Sequence, residues 1–249
     1  MTVSKSSVDI VLFNSLGGED YLADLFISAL LCNPRFRIIA NHIPEYLFDD
    51  YPLQDALYGR GYSAFCAVPS CIRVTQRVAV HEETRLIDIV KGNSVHAVVY
   101  TSIWRYSDYL DDIRDICMRN NTRLIVLDGE DHARLHHSSR SPLMYYKREL
   151  ATYSDCVQPI SFRLPAYWLP FIMRGSDYIP EKSKILAPCD PRFRKSYCYN
   201  TLDSYYSQYA ESLFALTIKK GGWDCLRHYE IMANHCIPYF PGIEMKPNS

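Results

Sequence analysis

Short apolar runs alternate along the chain with stretches in which apolar residues recur at helical spacing. Val8–Phe13 is an apolar, β-branched run that ends at a glycine-containing turn. In residues 20–31, which follow this turn, Leu22, Leu25 and Phe26 fall on one side of an α-helix. The pattern predicts a strand, a tight turn and a helix.

The same alternation continues after this first unit. Residues 36–40, 95–100 and 123–127 are apolar runs that predict buried strands, and residues 108–120 carry a helical apolar stripe. A helix that connects two parallel strands must cover one face of their sheet. The alternation therefore predicts an α/β fold with a parallel sheet.

Prolines and a glycine interrupt the chain in residues 159–180, and they exclude a long regular element there. We expect a domain junction in this segment, with an N-terminal α/β domain in residues 1–175 and a C-terminal α/β domain in residues 176–249. In the second domain the same criteria predict helices in residues 203–212 and 223–234 and strands in residues 213–218 and 237–240.

Composition indicates a globular protein that does not bind nucleic acid. Of the 249 residues, 48% are hydrophobic and 22% charged, and 27 Lys and Arg nearly cancel 28 Asp and Glu. No run of like charges supplies the basic surface that nucleic acids require. The longest apolar runs are strand-sized and residues 1–7 are polar. We therefore expect no membrane span, no signal peptide and a cytoplasmic location.

Nine cysteines are scattered along the chain, an odd number without any CxxC pair. Most lie among apolar or aromatic residues, where a cysteine behaves as a small buried hydrophobe. We expect free thiols in a reducing compartment rather than disulfides or a zinc site.

The first candidate site follows the strand predicted for residues 213–218. This strand leads into Lys219, Lys220, Gly221 and Gly222 and then into a helix. Backbone N–H groups, a helix dipole and two cations therefore meet at one point, which favours binding of an anion such as phosphate.

On the helix that follows, Arg227 and Glu230 are three residues apart and share a face. A cation for phosphate and a carboxylate for paired hydroxyls would suit one ligand, a nucleotide sugar. An equally good interpretation is a local ion pair on the helix surface, next to glycines that merely end a strand.

The order of a glycine turn, Arg227, Glu230 and then Cys-Ile-Pro at residues 236–238 resembles the donor-binding region of exostosin-like GT-B glycosyltransferases. The motif of that family is approximately R-x-x-E followed by G-x-I-P. The resemblance implies that Glu230 binds the ribose hydroxyls of a nucleoside diphosphate. It also implies that Arg227, the basic residues and the glycine turn hold the phosphates. One difference is His235, where the family usually has a glycine; His235 could occupy the left-handed conformation of that glycine at some cost.

Upstream, residues 127–131 and 146–150 also look like segments of these enzymes, and the chain is similar to exostosin-like xylosyltransferases of large algal viruses, the chloroviruses. These resemblances imply a GT-B-like fold of two Rossmann-like domains, the C-terminal one small or truncated. They also imply transfer of xylose, or another pentose or hexose, from a UDP-sugar with inversion at the anomeric carbon. For a viral protein the location would be the host cytoplasm.

A second candidate site contains Asp128, Glu130 and Asp131, directly after a predicted buried strand. Parallel strands deliver such residues to the carboxyl edge of the sheet, where α/β enzymes bind ligands. One of the three could act as a general base, or the group could hold a divalent cation as in metal-dependent GT-A transferases. A capped turn that opens a helix is a third interpretation.

Glu19 and Asp20 follow the first predicted strand and reach the same edge of the sheet. Either carboxylate could take the proton from an acceptor hydroxyl as that hydroxyl attacks the anomeric carbon. For Asp20 we favour a cap on the helix that begins at Tyr21. Farther along, Arg192 and Arg194 could reach a pyrophosphate, although solvated loop charges are the simpler explanation.

Together these observations predict a two-domain GT-B glycosyltransferase that moves a sugar from a UDP-sugar to a hydroxyl of a glycan or glycoprotein. The donor would bind in the C-terminal domain and the acceptor in the N-terminal domain, and no metal would be required. Two alternatives remain open. One is a metal-dependent GT-A transferase, and the other is a non-catalytic protein that binds a glycan or a nucleotide.

Overall fold

A parallel α/β architecture is the main feature of the structure. A computed structural model of the chain describes residues 7–52, 65–75, 77–137, 143–150, 155–164 and 180–246. It contains a seven-stranded sheet and a separate three-stranded sheet, and every strand pair in both is parallel. The α/β fold with parallel sheets that the sequence predicts is confirmed.

Seven strands form the large sheet. They are β1 (Val8–Phe13), β2 (Phe36–Ala40), β3 (Val78–Val80), β4 (Ala97–Tyr100), β5 (Arg123–Asp128), β6 (Met144–Lys147) and β7 (Val157–Pro159). Their order across the sheet is β3-β2-β1-β4-β5-β6-β7. The order reverses between β1 and β4, which opens a crevice at the carboxyl ends of these two strands.

Helices cover both faces of the large sheet. They are α1 (Tyr21–Cys32), α2 (Glu83–Lys91) and α3 (Leu110–Asn120). Leu25 of α1 belongs to the core on one face, whereas Leu86 of α2 and Ile113 of α3 belong to the core on the other. The sheet is therefore the middle of three layers, which is why its central strands are apolar on both sides.

The small sheet has β9 at its centre and two helices packed on it. Its elements are β8 (Lys184–Leu186), β9 (Ser212–Leu216), β10 (Ile237–Tyr239), α4 (Leu202–Ala210) and α5 (Leu226–Ala233). Tyr205, Tyr206 and Tyr209 of α4 pack with Ile231 of α5 to form most of its core.

α5 links the two sheets, because its ends belong to different cores. Leu226 is buried in the core of the large sheet, and Ile231 is buried in the core of the small sheet. The predicted boundary between residues 175 and 176 lies outside the described residues, as does most of the proline-containing segment.

Four elements of the large sheet are not predicted by the sequence pattern, namely β3, α2, β6 and β7. β3 and β7 have three residues each, too few to show a period. β6 ends in Lys147, whose side chain is fully buried although lysine normally marks a surface position. The sequence analysis also misses α2, although four of its nine residues are apolar and Leu86 and Val90 are buried.

The helix predicted for residues 223–234 begins only at Leu226, so its first three residues were wrongly assigned. The reason is a tertiary contact. The backbone N–H of Asp224 donates to Glu149 Oε1 at 2.8 Å, and its carbonyl oxygen accepts from Arg148. These bonds hold the backbone of Asp224 in the loop that precedes the helix.

Two further expectations, on the cysteines and on membrane spans, can be compared with the structure. All nine cysteines are free thiols, as expected. Within the described ranges, no helix has the length and apolar character needed to cross a bilayer.

Candidate functional site

The predicted acidic residues gather at the carboxyl edge of the large sheet, as the topology requires. Arg105, in the loop after β4, draws three of them together. Its Nη1 donates to the carbonyl oxygen of Glu19 at 2.8 Å, and its Nε lies 3.5 Å from Glu130 Oε1 and 4.0 Å from Asp20 Oδ2. The loops after β1, β4 and β5 therefore meet around one guanidinium.

Asp20 is the N-cap of α1, as the sequence analysis favours. Its Oδ1 accepts from the backbone N–H groups of Leu22 and Ala23 at 3.1 and 3.2 Å. Its Oδ2 accepts from the Ser102 hydroxyl at 2.8 Å. Both oxygens are thus engaged, which favours a structural role over proton transfer.

Asp128 is fully buried at the end of β5 and is surrounded by donors. It accepts from Lys147 Nζ at 2.8 Å, from Trp104 Nε1 at 2.9 Å and from the Tyr145 hydroxyl. Lys147 is also fully buried, so the two charges neutralise each other inside the protein. An acceptor hydroxyl has no access to this carboxylate, and the pair joins β5 to β6.

Asp131 takes part in a different contact, which joins the large sheet to the loop before α5. Arg148 binds the Asp131 carboxylate, the Glu149 carboxylate and the carbonyl oxygen of Asp224. Only 3% of the Arg148 side chain is exposed, so this guanidinium is a buried centre of the junction. The side chain of Asp131 is 53% exposed and remains accessible to a ligand.

The glycine turn, Gly221 and Gly222, packs against the carboxylates of Asp131 and Glu149. A Cβ atom at Gly221 would overlap the carboxylate of Asp131, and one at Gly222 would overlap that of Glu149. The close approach that glycine permits is therefore used for contact with the large sheet. In this arrangement the turn faces carboxylates and does not offer the open phosphate cradle that the sequence suggests.

A cationic cluster lies instead at the carboxyl edge of the small sheet. Arg227, in the first turn of α5, has its guanidinium carbon 5.4 Å from the centre of the Tyr197 ring, and Lys220 Nζ lies 5.8 Å from the same centre. Among the described residues, Nε and Nη1 of Arg227 are buried without a hydrogen-bond partner, as are the Tyr197 hydroxyl, Thr217 Oγ1 and His228 Nε2. Buried polar groups are nearly always paired, so this concentration of unpaired ones indicates a binding site.

The pKa values of neighbouring groups reflect the positive charge of this cluster. Burial, followed by repulsion from Arg227, lowers the pKa of Lys220 below its usual value. The same two causes, with a smaller effect of Lys246, lower the pKa of His228 to about 4. An anion placed among these groups would stabilise their charged forms.

Glu230 is nearly buried, and Tyr205 fixes its position. The Tyr205 hydroxyl donates to Glu230 Oε2 at 2.7 Å, and only 5% of Glu230 is exposed. The spacing correctly places Glu230 on α5 one turn from Arg227. The surface ion pair considered as an alternative does not fit, because Glu230 is buried under α4.

The remaining predicted basic residues lie on the surface around the small sheet. Arg192 is exposed and forms an ion pair with Asp190 at 2.6 Å, and Arg194 is exposed in a short 3-10 turn. Lys219 Nζ lies 5.7 Å from the centre of the Trp223 ring. None of these contacts orients a cation toward the Arg227 cluster.

The sequence analysis misses several residues that shape these sites. Arg105, Lys147 and Arg148 were not singled out, because a lysine or arginine in a polar stretch gives no sign of burial. Tyr197 is one of 20 tyrosines, and nothing in the sequence separates it from the others. A usable signal existed for Lys147, which alternates with Tyr145 in an otherwise strand-like run.

The described part of the chain contains no evident set of metal ligands. No three His, Cys, Asp or Glu side chains there are grouped as a metal site requires. Of the acidic residues considered for a metal, Asp128 already binds Lys147, and Glu130 and Asp131 face Arg105 and Arg148.

Comparison with known proteins adds no assignment to this geometry. No family model, no curated protein and no solved structure matches the chain.

Proposed function

We propose that this chain is a GT-B-type glycosyltransferase that binds the diphosphate of a UDP-sugar at the carboxyl edge of the small sheet. The observation that carries the proposal is Arg227, a cation whose buried Nε and Nη1 lack hydrogen-bond partners in the described part of the chain. A guanidinium is always charged and cannot neutralise itself by losing a proton. An anionic ligand would supply both the missing acceptors and the missing charge.

The neighbours of Arg227 suit a phosphorylated ligand. Lys220 adds a second cation near the Tyr197 ring, and the Tyr197 and Thr217 hydroxyls add neutral donors. The position also agrees with the general rule for α/β proteins, since it lies at the carboxyl ends of parallel strands. The resemblance of this segment to exostosin-like enzymes supports the choice of a nucleoside diphosphate.

Glu230 retains the role of ribose ligand in this proposal. It lies one turn along α5 from Arg227, and Tyr205 holds its Oε2 in place. A carboxylate fixed in this way is preorganised to accept from the paired hydroxyls of a ribose.

The reaction follows from the contact between the two sheets. The glycine turn places the donor cluster beside the acidic edge of the large sheet, where the acceptor would bind. As the acceptor hydroxyl attacks the anomeric carbon, a carboxylate takes its proton and the diphosphate leaves toward Arg227 and Lys220. Glu19, Glu130 and Asp131 are the candidates for this base, because Asp20 and Asp128 are engaged by several donors.

Replacing Arg227 with methionine tests the proposal. We expect the affinity for UDP to fall at least tenfold, since hydrogen bonds to charged groups contribute about 1.5–3 kcal/mol each. The fold should be no less stable, because the substitution removes buried N–H groups that have no partners. Isothermal titration calorimetry measures the affinity, and thermal unfolding measures the stability.

A matched control is Arg119→Met, which removes the same charge from an exposed position on α3. It should leave UDP binding unchanged. Unaltered affinity in a folded Arg227→Met protein would refute the assignment of the donor site.

Transfer itself is tested with a panel of UDP-sugars, UDP-xylose included, and glycan acceptors in the presence of a chelator. We expect release of UDP that depends on the acceptor and persists in chelator. Loss of activity in chelator would favour the GT-A alternative, and UDP binding without any turnover would favour the non-catalytic one. The base is identified as the candidate carboxylate whose amide variant lowers kcat about a hundredfold or more with UDP affinity intact.

A further inference from the structure

A cleft lies where the strand order of the large sheet reverses. It is small, with a cavity volume of about 40 Å³, and lies between the loops after β1, β2 and β4 and the start of α1. Its polar lining includes Ser15, Asp20, Asp24, His42 and Tyr46. Open α/β sheets bind ligands at this position.

Asp24 is the unusual group in this lining. It lies in the first turn of α1 and is only 2% exposed. Its Oδ1 accepts from the Tyr46 hydroxyl at 3.0 Å, whereas its Oδ2 has no hydrogen-bond partner among the described residues. An unpaired carboxyl oxygen at the wall of a cleft is explained if a ligand supplies the partner.

The cleft is suited to a neutral ligand. Among the described residues, its lining contains no lysine or arginine, and Arg105 beside it is 4.0 Å from Asp20 and also pairs with Glu130. The Asp20 carboxylate in the lining would repel a phosphate. Burial, and then the charge of Asp20, raise the pKa of Asp24 well above its usual value, which favours an un-ionised carboxyl over a second negative charge in the cleft. Burial also lowers the pKa of His42, which keeps that imidazole neutral.

The hydrogen-bonding groups match the hydroxyls of a sugar. An un-ionised carboxyl donates through one oxygen and accepts through the other, and neutral imidazole and hydroxyl groups also do both. Ala23 and Pro44 provide apolar surface in the same lining. A sugar ring presents this combination of alternating hydroxyls and C–H faces.

We infer that this cleft binds a neutral monosaccharide unit, with the Asp24 carboxyl bonded to one of its hydroxyls. That this unit belongs to the acceptor glycan rests on the proposed function. The existence of the site does not, because it depends only on the geometry around Asp24.

Saturation-transfer NMR on the full chain without nucleotide tests the inference. The probes are methyl pentosides and hexosides, with methyl glucuronide and inorganic phosphate as charged counterparts. We expect the neutral glycosides to bind and the charged probes to bind at least tenfold more weakly. Binding of charged probes alone, or of no glycoside, would overturn the inference.

Variants of Asp24 locate the binding in this cleft. Asp24→Ala should weaken glycoside binding at least tenfold, whereas Asp24→Asn, which can both donate and accept, should stay within about threefold of wild type. Asp112→Ala, at an exposed position on α3, is the control and should have no effect. Equal binding by the Asp24→Ala and wild-type proteins would exclude the site.

A second variant and a UDP titration distinguish failure of this inference from misfolding and from failure of the proposed function. If Asp24→Ala does not fold, Tyr46→Phe removes the hydroxyl that both lines the cleft and holds Asp24, and it should weaken binding severalfold. UDP titration of the same samples separates this inference from the proposed function. Intact UDP binding with no glycoside binding would refute the inference alone, and the reverse result would refute the donor site alone.

Discussion

At the scale of single residues, two buried side chains with polar atoms that lack partners among the described residues mark the two candidate sites. Arg227 is a permanent cation, so its unpaired N–H groups call for an anion. Asp24 is an acid that can avoid its buried charge by keeping its proton. A buried polar atom without a partner among the described residues therefore indicates an anionic ligand at Arg227 and a neutral ligand at Asp24.

The protonation of Asp24 predicts how stability changes with pH. Its pKa in the folded protein is raised by burial, by Asp20 and by Glu19, and the hydrogen bond from Tyr46 opposes this only in part. Above the ordinary value of 3.8, the unfolded chain loses the Asp24 proton while the folded protein keeps it. The wild type should therefore lose stability relative to Asp24→Asn as the pH rises from about 4, until it exceeds the folded pKa.

Urea unfolding of both proteins between pH 4 and neutral pH measures this difference. Asp112→Asn serves as the control, because that carboxyl is exposed on α3. A stability difference that does not change with pH would mean that Asp24 is ionised in the folded protein.

At the scale of elements, helix ends and loops decide where the site groups lie. The side chain of Asp20 caps α1, and Asn121 ends α3 in the left-handed conformation with φ of 53°. After α5, His235 has φ of 51° and turns the chain into β10. The sequence analysis allows this conformation at His235 at some cost, and the structure has it.

His235→Gly should stabilise the protein by about 1 kcal/mol, because a residue with a Cβ atom pays a steric cost in the left-handed region. Thermal unfolding measures the gain. The matched variant Asn121→Gly should gain less, since asparagine enters this region more readily than histidine. A loss of stability in His235→Gly would show that contacts of the imidazole outweigh the backbone strain.

At the scale of the whole molecule, the two sheets are joined through Arg148. This buried guanidinium binds Asp131 and Glu149 of the large-sheet side and the carbonyl oxygen of Asp224 before α5. It also donates to the carbonyl oxygen of Gly129 at 2.8 Å. Together with the Glu149–Asp224 hydrogen bond and with Leu226 in the core of the large sheet, Arg148 therefore fixes the Arg227 cluster relative to the acidic edge.

Arg148→Met should destabilise the protein by about 3 kcal/mol, because it leaves buried carboxylate and carbonyl oxygens without their donor. Urea unfolding measures the change. Arg114→Met is the matched control, since Arg114 pairs with the exposed Asp111 on α3, and it should cost less than about 1 kcal/mol. Similar losses in the two variants would show that Arg148 is not the centre of the junction.

The sequence by itself determined the local features of this protein. Alternating apolar runs and helical stripes predicted β1, α1, β2, β4, α3 and β5 of the large sheet and α4, β9, α5 and β10 of the small one, because periodicity and turn chemistry are properties of neighbouring residues. β8, with three residues, was not predicted. The cap at Asp20 was also predicted, because it too depends on neighbouring residues. The placement of acidic residues at one sheet edge followed from the topology of parallel strands.

Only the tertiary structure decided which of the candidate groups are available to a ligand. Asp128 is neutralised by Lys147, 19 residues away in the chain, and the N–H of Asp224 is bound by Glu149, 75 residues away. The cleft beside Asp24 likewise forms from loops after three different strands. Burial and pairing of a charge depend on residues that are distant in sequence, and a local pattern carries no information about them.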